Sequence, residues 1–255
     1  MSNHKHQAEL FGSLHVPGQP LVLFNIWDPG SAKAVAAGGA LALATGSWSV
    51  AAAFGFTDGE RLPLDLVIDH LARIVGAVDL PVSVDLERGY AQTSEALGPT
   101  IIRSMDAGAI GCNLEDSLPT TGVLRSVAQQ VERLRVARQA ANRQNSAYFI
   151  NARTDVFFGG LQADDNARVA EIVTRANAYA EAGANGLFVP GVTDAALIAR
   201  LVAASPLPLN VMVGDGTPAL NVLASLGVAR VSHGPSPYLT VMKLLEQHAR
   251  DALNI

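Results

Sequence analysis

Eight short apolar runs, separated by stretches long enough for a helix, constrain this sequence more than any other feature. They read Leu21–Trp27, Leu41–Thr45, Val82–Asp85, Ile110–Leu114, Tyr148–Asn151, Gly186–Val189, Leu209–Val213 and Val228–Ser232. Their apolar character is continuous rather than alternating, as expected of strands covered on both faces in a parallel sheet. Between them the spacing predicts helices, one opening at Pro63-Leu64-Asp65 and running to about Val78, another over Asp164–Ala182. Ala37-Gly38-Gly39-Ala40, Ala107-Gly108-Ala109, Ala182-Gly183-Ala184 and Leu226-Gly227-Val228 each set glycine where a helix should close and a strand open. This repeated joint indicates successive βα units, and eight units in 255 residues match an α/β chain closed as a (β/α)8 TIM barrel. An open doubly wound sheet is the alternative. Against it, Asn25-Ile26-Trp27-Asp28-Pro29-Gly30 stands where that fold would carry a glycine-rich dinucleotide fingerprint. No linker interrupts the pattern, so residues 1–255 read as one domain, with 1–18 an N-terminal tail or helix and 236–255 a C-terminal helix.

Composition closes off several classes of function. With 18 basic and 23 acidic side chains the net charge is −5, so no basic field exists for nucleic acid or an anionic membrane surface. The single cysteine, Cys112, excludes a disulfide framework and a cysteine-based zinc site. No apolar run reaches the ~18 residues that span a bilayer. The polar start, with His4, Lys5 and His6, lacks a signal core, and a cytoplasmic setting is expected.

In such barrels the chemistry gathers at the C-terminal ends of the strands, and polar residues crowd there. The second strand runs into Thr45-Gly46-Ser47-Trp48-Ser49 and a loop with Asp58, the third into Asp85-Leu86-Glu87-Arg88-Gly89-Tyr90. The fourth ends in Asn113-Leu114-Glu115-Asp116 and the fifth in Asn151-Ala152-Arg153-Thr154-Asp155. Strand alternation gives Asp85 and Glu87 one parity, and likewise pairs Asn113 with Glu115 and Asn151 with Arg153. Asp85, Glu87 and Glu115 should therefore converge on the mouth, where three anions need cations between them. Arg153 supplies one, and oxygen-only donors suit Mg2+, with Mn2+ as the alternative. Carboxylates at strand ends also cap helices or pair with barrel arginines, and Asp116 and Asp155 fit that plainer role. Cys112, opposite in parity to Glu115, should face the helices as a buried thiol.

Asn25-Ile26-Trp27-Asp28, Gly55-Phe56-Thr57-Asp58-Gly59, Asp85-Leu86-Glu87-Arg88-Gly89-Tyr90, Asn113-Leu114-Glu115-Asp116 and Asn151-Ala152-Arg153-Thr154-Asp155 together resemble the isocitrate lyase/phosphoenolpyruvate mutase superfamily, in order and spacing, from about residue 20 to 235. The resemblance implies a (β/α)8 barrel, a homotetramer or dimer with its last helix swapped between subunits. It also implies Mg2+-dependent making or breaking of C–C or P–C bonds beside an α-keto or α-hydroxy carboxylate. Carried onto this chain, Asp85, Glu87 and Glu115 surround the metal, some through bound water. Gly46, Ser47 and Trp48 offer backbone N–H groups to the substrate carboxylate. Asp58 orders the metal waters near the reacting group, Arg153 reaches the substrate oxygens, and Asn210 resembles a strand-seven asparagine of the lyases.

The chain departs from the family in two places. The Lys-Lys-Cys-Gly-His lid of the isocitrate lyases is replaced by Ser117-Leu118-Pro119-Thr120-Thr121-Gly122-Val123, with no acid thiol. The mutases' longer lid and their histidine after strand six are also missing; Phe188-Val189-Pro190-Gly191 stands at the latter, and Thr120 or Thr121 are the nearest lid hydroxyls. The expectation is a lyase that decarboxylates, or cleaves in retro-aldol fashion, a small α-keto or 2-hydroxy carboxylate through an enolate. Alternatives are a phosphoenolpyruvate mutase or phosphonopyruvate-type P–C enzyme, and a non-catalytic barrel that only binds α-keto acids. Among weaker features, Thr217-Pro218 reads as a helix N-cap, His233 as a solvated rim residue rather than a proton donor, and Trp48 with Phe54–Phe56 as a pocket wall or loop packing.

Overall fold

The computed structural model describes residues 2–118 and 122–255. Its eight strands are β1 Leu21–Leu23, β2 Leu43–Ala44, β3 Val82–Asp85, β4 Gly111–Glu115, β5 Phe149–Arg153, β6 Gly186–Val189, β7 Leu209–Met212 and β8 Arg230–Ser232. All neighbours pair in parallel, from β2 through β8 and on to β1. The ring closes between β1 and β2 through a bridge of Ile26 with Thr45. There Ile26 N–H donates to Ala44 O at 2.9 Å and Gly46 N–H to Ile26 O at 3.0 Å.

Helices alternate with the strands: α1 Ser2–Ser13, α2 Pro29–Ala37, α3 Ser47–Ala53, α4 Leu64–Val75, α5 Leu97–Asp106, α6 Val127–Asn142, α7 Asp165–Glu181, α8 Ala195–Ala204, α9 Leu220–Ser225 and α10 Ser236–Leu253. The expected barrel is thus the observed one. Among the described residues no helix is long and apolar enough to cross a membrane. The joint glycines do what the repeat suggested. Gly108 (φ +97°) and Gly183 (φ +98°) turn the chain in the left-handed region, and a Cβ on either would lie 2.7 Å from a neighbouring side chain, Val75 or Arg138.

Some boundaries differ from the sequence reading. The first strand stops at Leu23 rather than Trp27, because Asn25 leaves the ladder to accept the His233 and Gly234 N–H groups, each at 2.9 Å. Thr217 is not a helix N-cap. Its hydroxyl closes a turn on Gly214 N–H (2.9 Å), and α9 begins only at Leu220.

Alternation sorts the two faces of the barrel. Helix-facing Val84, Leu86, Cys112, Leu114, Ile150 and Ala152 join one buried apolar cluster, and burial pushes the Cys112 thiol up to about 12. Inside the ring, Phe11 and Ala8 of α1 plug the lower end against Leu21, Leu23, Ala44 and Phe149. His15 stacks on Phe149 with ring centroids 4.1 Å apart and hydrogen-bonds Phe11 O at 2.8 Å. Its burial, helped by the charge of Arg230, lowers its pKa to about 3.

Above that plug lies a polar layer. Asn113 Oδ1 accepts from Asn151 Nδ2 (2.9 Å) and from Nη2 of the fully buried Arg230 (3.2 Å). By contrast α10 buries only Pro237, leaving Leu239, Leu244 and Leu245 about half exposed or more (49, 55 and 61%).

Candidate active site

A cavity of about 180 Å³ opens at the C-terminal mouth of the barrel. Asn25, Gly46, Ser47, Trp48, Asp58, Asp85, Asn113 and Arg153 contribute to its walls. Six of these were singled out from sequence as site residues.

Asp85 ends β3 and projects into the cavity. Its N–H donates to Thr45 Oγ1 (2.9 Å), its Oδ1 accepts Glu87 N–H (3.2 Å), and its Oδ2 accepts Ser47 N–H at a long 3.4 Å. Asp58 reaches the same cavity from the turn after α3. Among the described residues neither carboxylate is ion-paired. Burial raises the Asp58 pKa and the charge of Asp85 raises it further, against the weaker pull of Ser47 and Arg153.

Glu87 and Glu115 lie beside Asp85 behind the cavity wall, and among the described residues no group of three or more His, Cys, Asp and Glu side chains is already arranged to hold a metal ion. β3 stops at Asp85, so the turn that follows rather than the strand places Glu87, and it still lies close enough to Asp58, Asp85 and Glu115 for their charges to act on it. Beyond the strand Glu87 (φ +51°), Gly89 (φ +93°) and Tyr90 (φ +52°) fold into a tight left-handed turn. Gly89 is required there, since a Cβ would lie 2.2 Å from Leu97 Cδ1. The buried Glu87 carboxylate accepts Glu60 N–H (2.8 Å) and the Tyr90 hydroxyl (3.0 Å). Burial pushes its pKa up to about 8, with the charges of Asp58, Asp85 and Glu115 adding to the effect.

Glu115 keeps the expected inward parity but is held by two arginines. It receives Arg153 Nη1 at 2.9 Å, Arg88 Nη2 at 3.1 Å and the Ser117 hydroxyl at 3.2 Å. Burial raises its pKa against the pull of both guanidinium groups.

Arg153 is fixed from several sides. Nη1 bonds Glu115, Nε bonds Asp155 at 2.7 Å, and the rings of Phe158 and Phe188 lie 5.4 and 5.9 Å from its guanidinium carbon. Asp155 therefore has the plain pairing role foreseen for it, and so has Asp116. On the helix-facing side Asp116 accepts Asp155 N–H (3.1 Å), Arg175 Nη1 (3.1 Å) and the Tyr179 hydroxyl (2.8 Å).

Two substrate-binding expectations need correction. Gly46 N–H is committed to Ile26 O across the barrel seam, so only the Ser47 and Trp48 N–H groups at the start of α3 remain for a carboxylate. Asn210 does not line the cavity. It lies level with Arg230 in the polar layer, its Oδ1 accepting the Ser232 hydroxyl at 3.2 Å. Met212, two residues on, is the cavity residue of β7.

Sequence reading gave no role to Arg88, Glu60 and Ser232, whose roles depend on long-range partners. Asn25, Asn113, Phe188 and Pro190 stood in quoted motifs but were given no role. Thr120 and Thr121, considered as lid hydroxyls, lie outside the described residues. The His233 ring packs on Phe24 with centroids 4.9 Å apart, and Trp48 lies against Tyr238 at 5.9 Å.

The model of the phosphoenolpyruvate phosphomutase family matches residues 11–253. A crystal structure from Burkholderia cenocepacia J2315, provisionally named a phosphonomutase, is 55% identical with a TM-score of 0.94, covering 98% of this chain and 99% of that one. The uncharacterized protein Rv1998c of Mycobacterium tuberculosis is 34% identical over 89% of this chain and 83% of its own. Oxaloacetate decarboxylase of Pseudomonas entomophila is 28% identical over 99% and 90%. Phosphonopyruvate hydrolase, crystallised with oxalate and Mg2+, shares the fold at 20% identity (TM-score 0.80, covering 99% and 88%). The chain belongs to the phosphoenolpyruvate phosphomutase family.

Proposed function

We propose that the protein is a divalent-metal-dependent lyase that cleaves a C–C bond of a small α-keto or 2-hydroxy carboxylate at the mouth of the barrel. The observation that carries this reading is the pairing of two un-neutralised carboxylates, Asp58 and Asp85, with a partly committed arginine, Arg153, on one cavity. The donor set fits a hard dication. Asp58 and Asp85 offer oxygens to the cavity, Glu87 and Glu115 lie behind them as further oxygen donors, and no His or Cys is on the described lining. Asp85 would hold the ion, with Asp58, Glu87 and Glu115 acting through its waters. When bound, Mg2+, or Mn2+ in its place, supplies Lewis-acid polarisation of a keto oxygen.

The chain's own residues supply the rest. Ser47 and Trp48 N–H groups receive the substrate carboxylate, which displaces the long contact of Ser47 with Asp85. Arg153, stiffened by Glu115, Asp155 and two aromatic rings, aims its remaining N–H groups at substrate oxygens and limits misorientation. Asp58, on the same cavity wall as Ser47 and Arg153, is placed to deliver a proton to the carbon left by the departing fragment.

Purified protein with Mg2+ and a panel of 2-oxo and 2-hydroxy dicarboxylates, followed by proton NMR, tests the proposal. Turnover that stops with EDTA is the expected result, and no turnover across the panel would overturn it. A P–C enzyme is the second reading, favoured by the name of the 55%-identical Burkholderia protein; phosphorus NMR with phosphonopyruvate separates the two. The exposed leucines of α10 support a homo-oligomer, dimeric or tetrameric, in which this helix docks on a second copy. We place the enzyme in the cytoplasm, acting as one domain over 1–255.

A further inference from the structure

The walls of the cavity are divided by chemistry around the ring. The acidic arc comes from the ends of β2, β3 and β4, carrying Ser47, Asp58, Asp85 and Asn113. Opposite it, beyond Arg153 at the end of β5, the arc to β8 presents Phe158, Phe188, Pro190, Met212 and Pro235, with Ser232 the one hydroxyl and already bonded to Asn210, and Trp48 leans towards that side against Tyr238. A ligand whose carboxylate and keto oxygens face the acidic arc therefore points the rest of itself at apolar side chains.

The cations available to that second half are few. Arg153 is the one charged base on the described lining, and its Nε and Nη1 are already bonded to Asp155 and Glu115. The chain has three lysines: Lys5 lies in α1 under the barrel, Lys33 in α2 and Lys243 in α10, and none lines the cavity. The loop after β7 brings an acid, Asp215, rather than a base. The His233 ring is occupied with Phe24. Residues 119–121, outside the described part, are Pro, Thr and Thr and carry no charge.

An anionic group facing this arc would lose its water without gaining a partner, whereas an alkyl group would exchange water for aromatic and thioether contact. We infer that the group the substrate carries beyond its α-keto or 2-hydroxy carboxylate head is an uncharged alkyl or aryl substituent, and that Phe158, Phe188 and Met212 select for it. This rests on the keto-acid site proposed above and narrows it, setting aside substrates whose far end is a phosphonate or a carboxylate that must be retained.

The test is calorimetric competition on the full-length protein with Mg2+ present. The probes are oxalate as head alone, 2-oxobutyrate and 4-methyl-2-oxopentanoate as alkyl ligands, and 2-oxoglutarate and phosphonopyruvate as dianionic ones. Each added methylene should tighten binding about fourfold. The dianions should bind at least about tenfold more weakly than an alkyl acid of matching length. Dianions that bind as tightly as the alkyl acids, while oxalate binds, would overturn the inference and leave the keto-acid site intact. Failure of every ligand, oxalate included, would overturn both. Met212→Lys should reverse the order by favouring the dianions, and Met212→Leu should preserve it; the wild-type series decides the matter even if Met212→Lys does not fold.

Discussion

Glu87 offers the sharpest test of the electrostatics, because its carboxyl is buried in the presence of other acids. In metal-free protein its pKa is raised from 4.5 to about 8. A carboxyl raised on folding is more easily protonated in the native state, so its contribution to stability is intact below the unfolded value and is lost as the pH climbs towards the folded one. Each pH unit in that window costs about 1.4 kcal/mol, so near about pH 7 ionisable Glu87 costs the fold about 3 kcal/mol relative to acid conditions. Glu87→Gln removes the ionisation and keeps the shape. Its amide oxygen can accept Glu60 N–H while its NH2 donates to the Tyr90 hydroxyl, keeping the hydrogen bonds the native carboxylate makes at 2.8 and 3.0 Å and giving up its ion pair with Arg88 Nη1 at 3.8 Å. In EDTA at about pH 7, urea unfolding should show Glu87→Gln more stable by up to about 3 kcal/mol. By thermal melting that is an increase of roughly 6–12 °C in Tm for a chain of this size. The slope of stability against pH between 4.5 and about 8 should flatten. The variant should also lose lyase activity and most of the stabilisation that wild type gains from Mg2+, since Glu87 is assigned to the metal's water shell. If Glu87→Gln is no more stable than wild type, and the pH slope is unchanged, then the carboxylate is ionised and satisfied by its two donors and Arg88, and the picture of an acid cluster awaiting a cation is wrong.

Further predictions address separate parts of the molecule. Arg153→Met should leave Glu115 with one arginine and remove a substrate contact, cutting kcat/KM by at least about a hundredfold, roughly 3 kcal/mol, measured by initial rates. His15, lowered to about 3 by burial, is neutral in the fold but takes up a proton when unfolded below its usual 6.5; its penalty should be absent at neutral pH and grow to about 2 kcal/mol near about pH 5. His15→Phe should therefore narrow the stability gap between about pH 7 and about pH 5 in urea titrations, and an unchanged gap would refute the burial argument. Leu244→Glu with Leu245→Glu should dissociate the oligomer in light-scattering chromatography; an unchanged mass would show that α10 does not form the contact.

Much of the barrel was legible because its signals are local. The apolar runs mark strands covered on both faces, and Gly108 and Gly183 mark turns that a side chain would block. Alternation correctly turned Asn113, Glu115, Asn151 and Arg153 inward and Cys112 outward, since all lie within regular strands. It did not show how Glu87 is held, because the chain leaves the strand after Asp85 and enters left-handed turns that periodicity does not encode. Asn210 shows a different limit. A period of two gives the face of a strand but not the depth along the barrel axis, and register with Arg230 puts Asn210 one layer too low. Arg88 and Glu60 act on partners far away in sequence, Arg88 on Glu115 and Glu60 on Tyr90, and nothing in their neighbourhood announces it.

The joint between β1 and β2 is the thinnest in the cylinder, a lone bridge at Ile26 and Thr45 where other neighbours share ladders. That same Thr45 hydroxyl holds Asp85, its carbonyl receives Asn25 Nδ2 at 3.1 Å, and the next two residues line the catalytic mouth. Breathing of the wall and access to the chemistry thus share one hinge line. A ligand that grips Ser47 and Asp85 together acts as a clasp across it, so occupancy should be felt as slower hydrogen exchange at Ile26 and Gly46, whose N–H groups make the stitch.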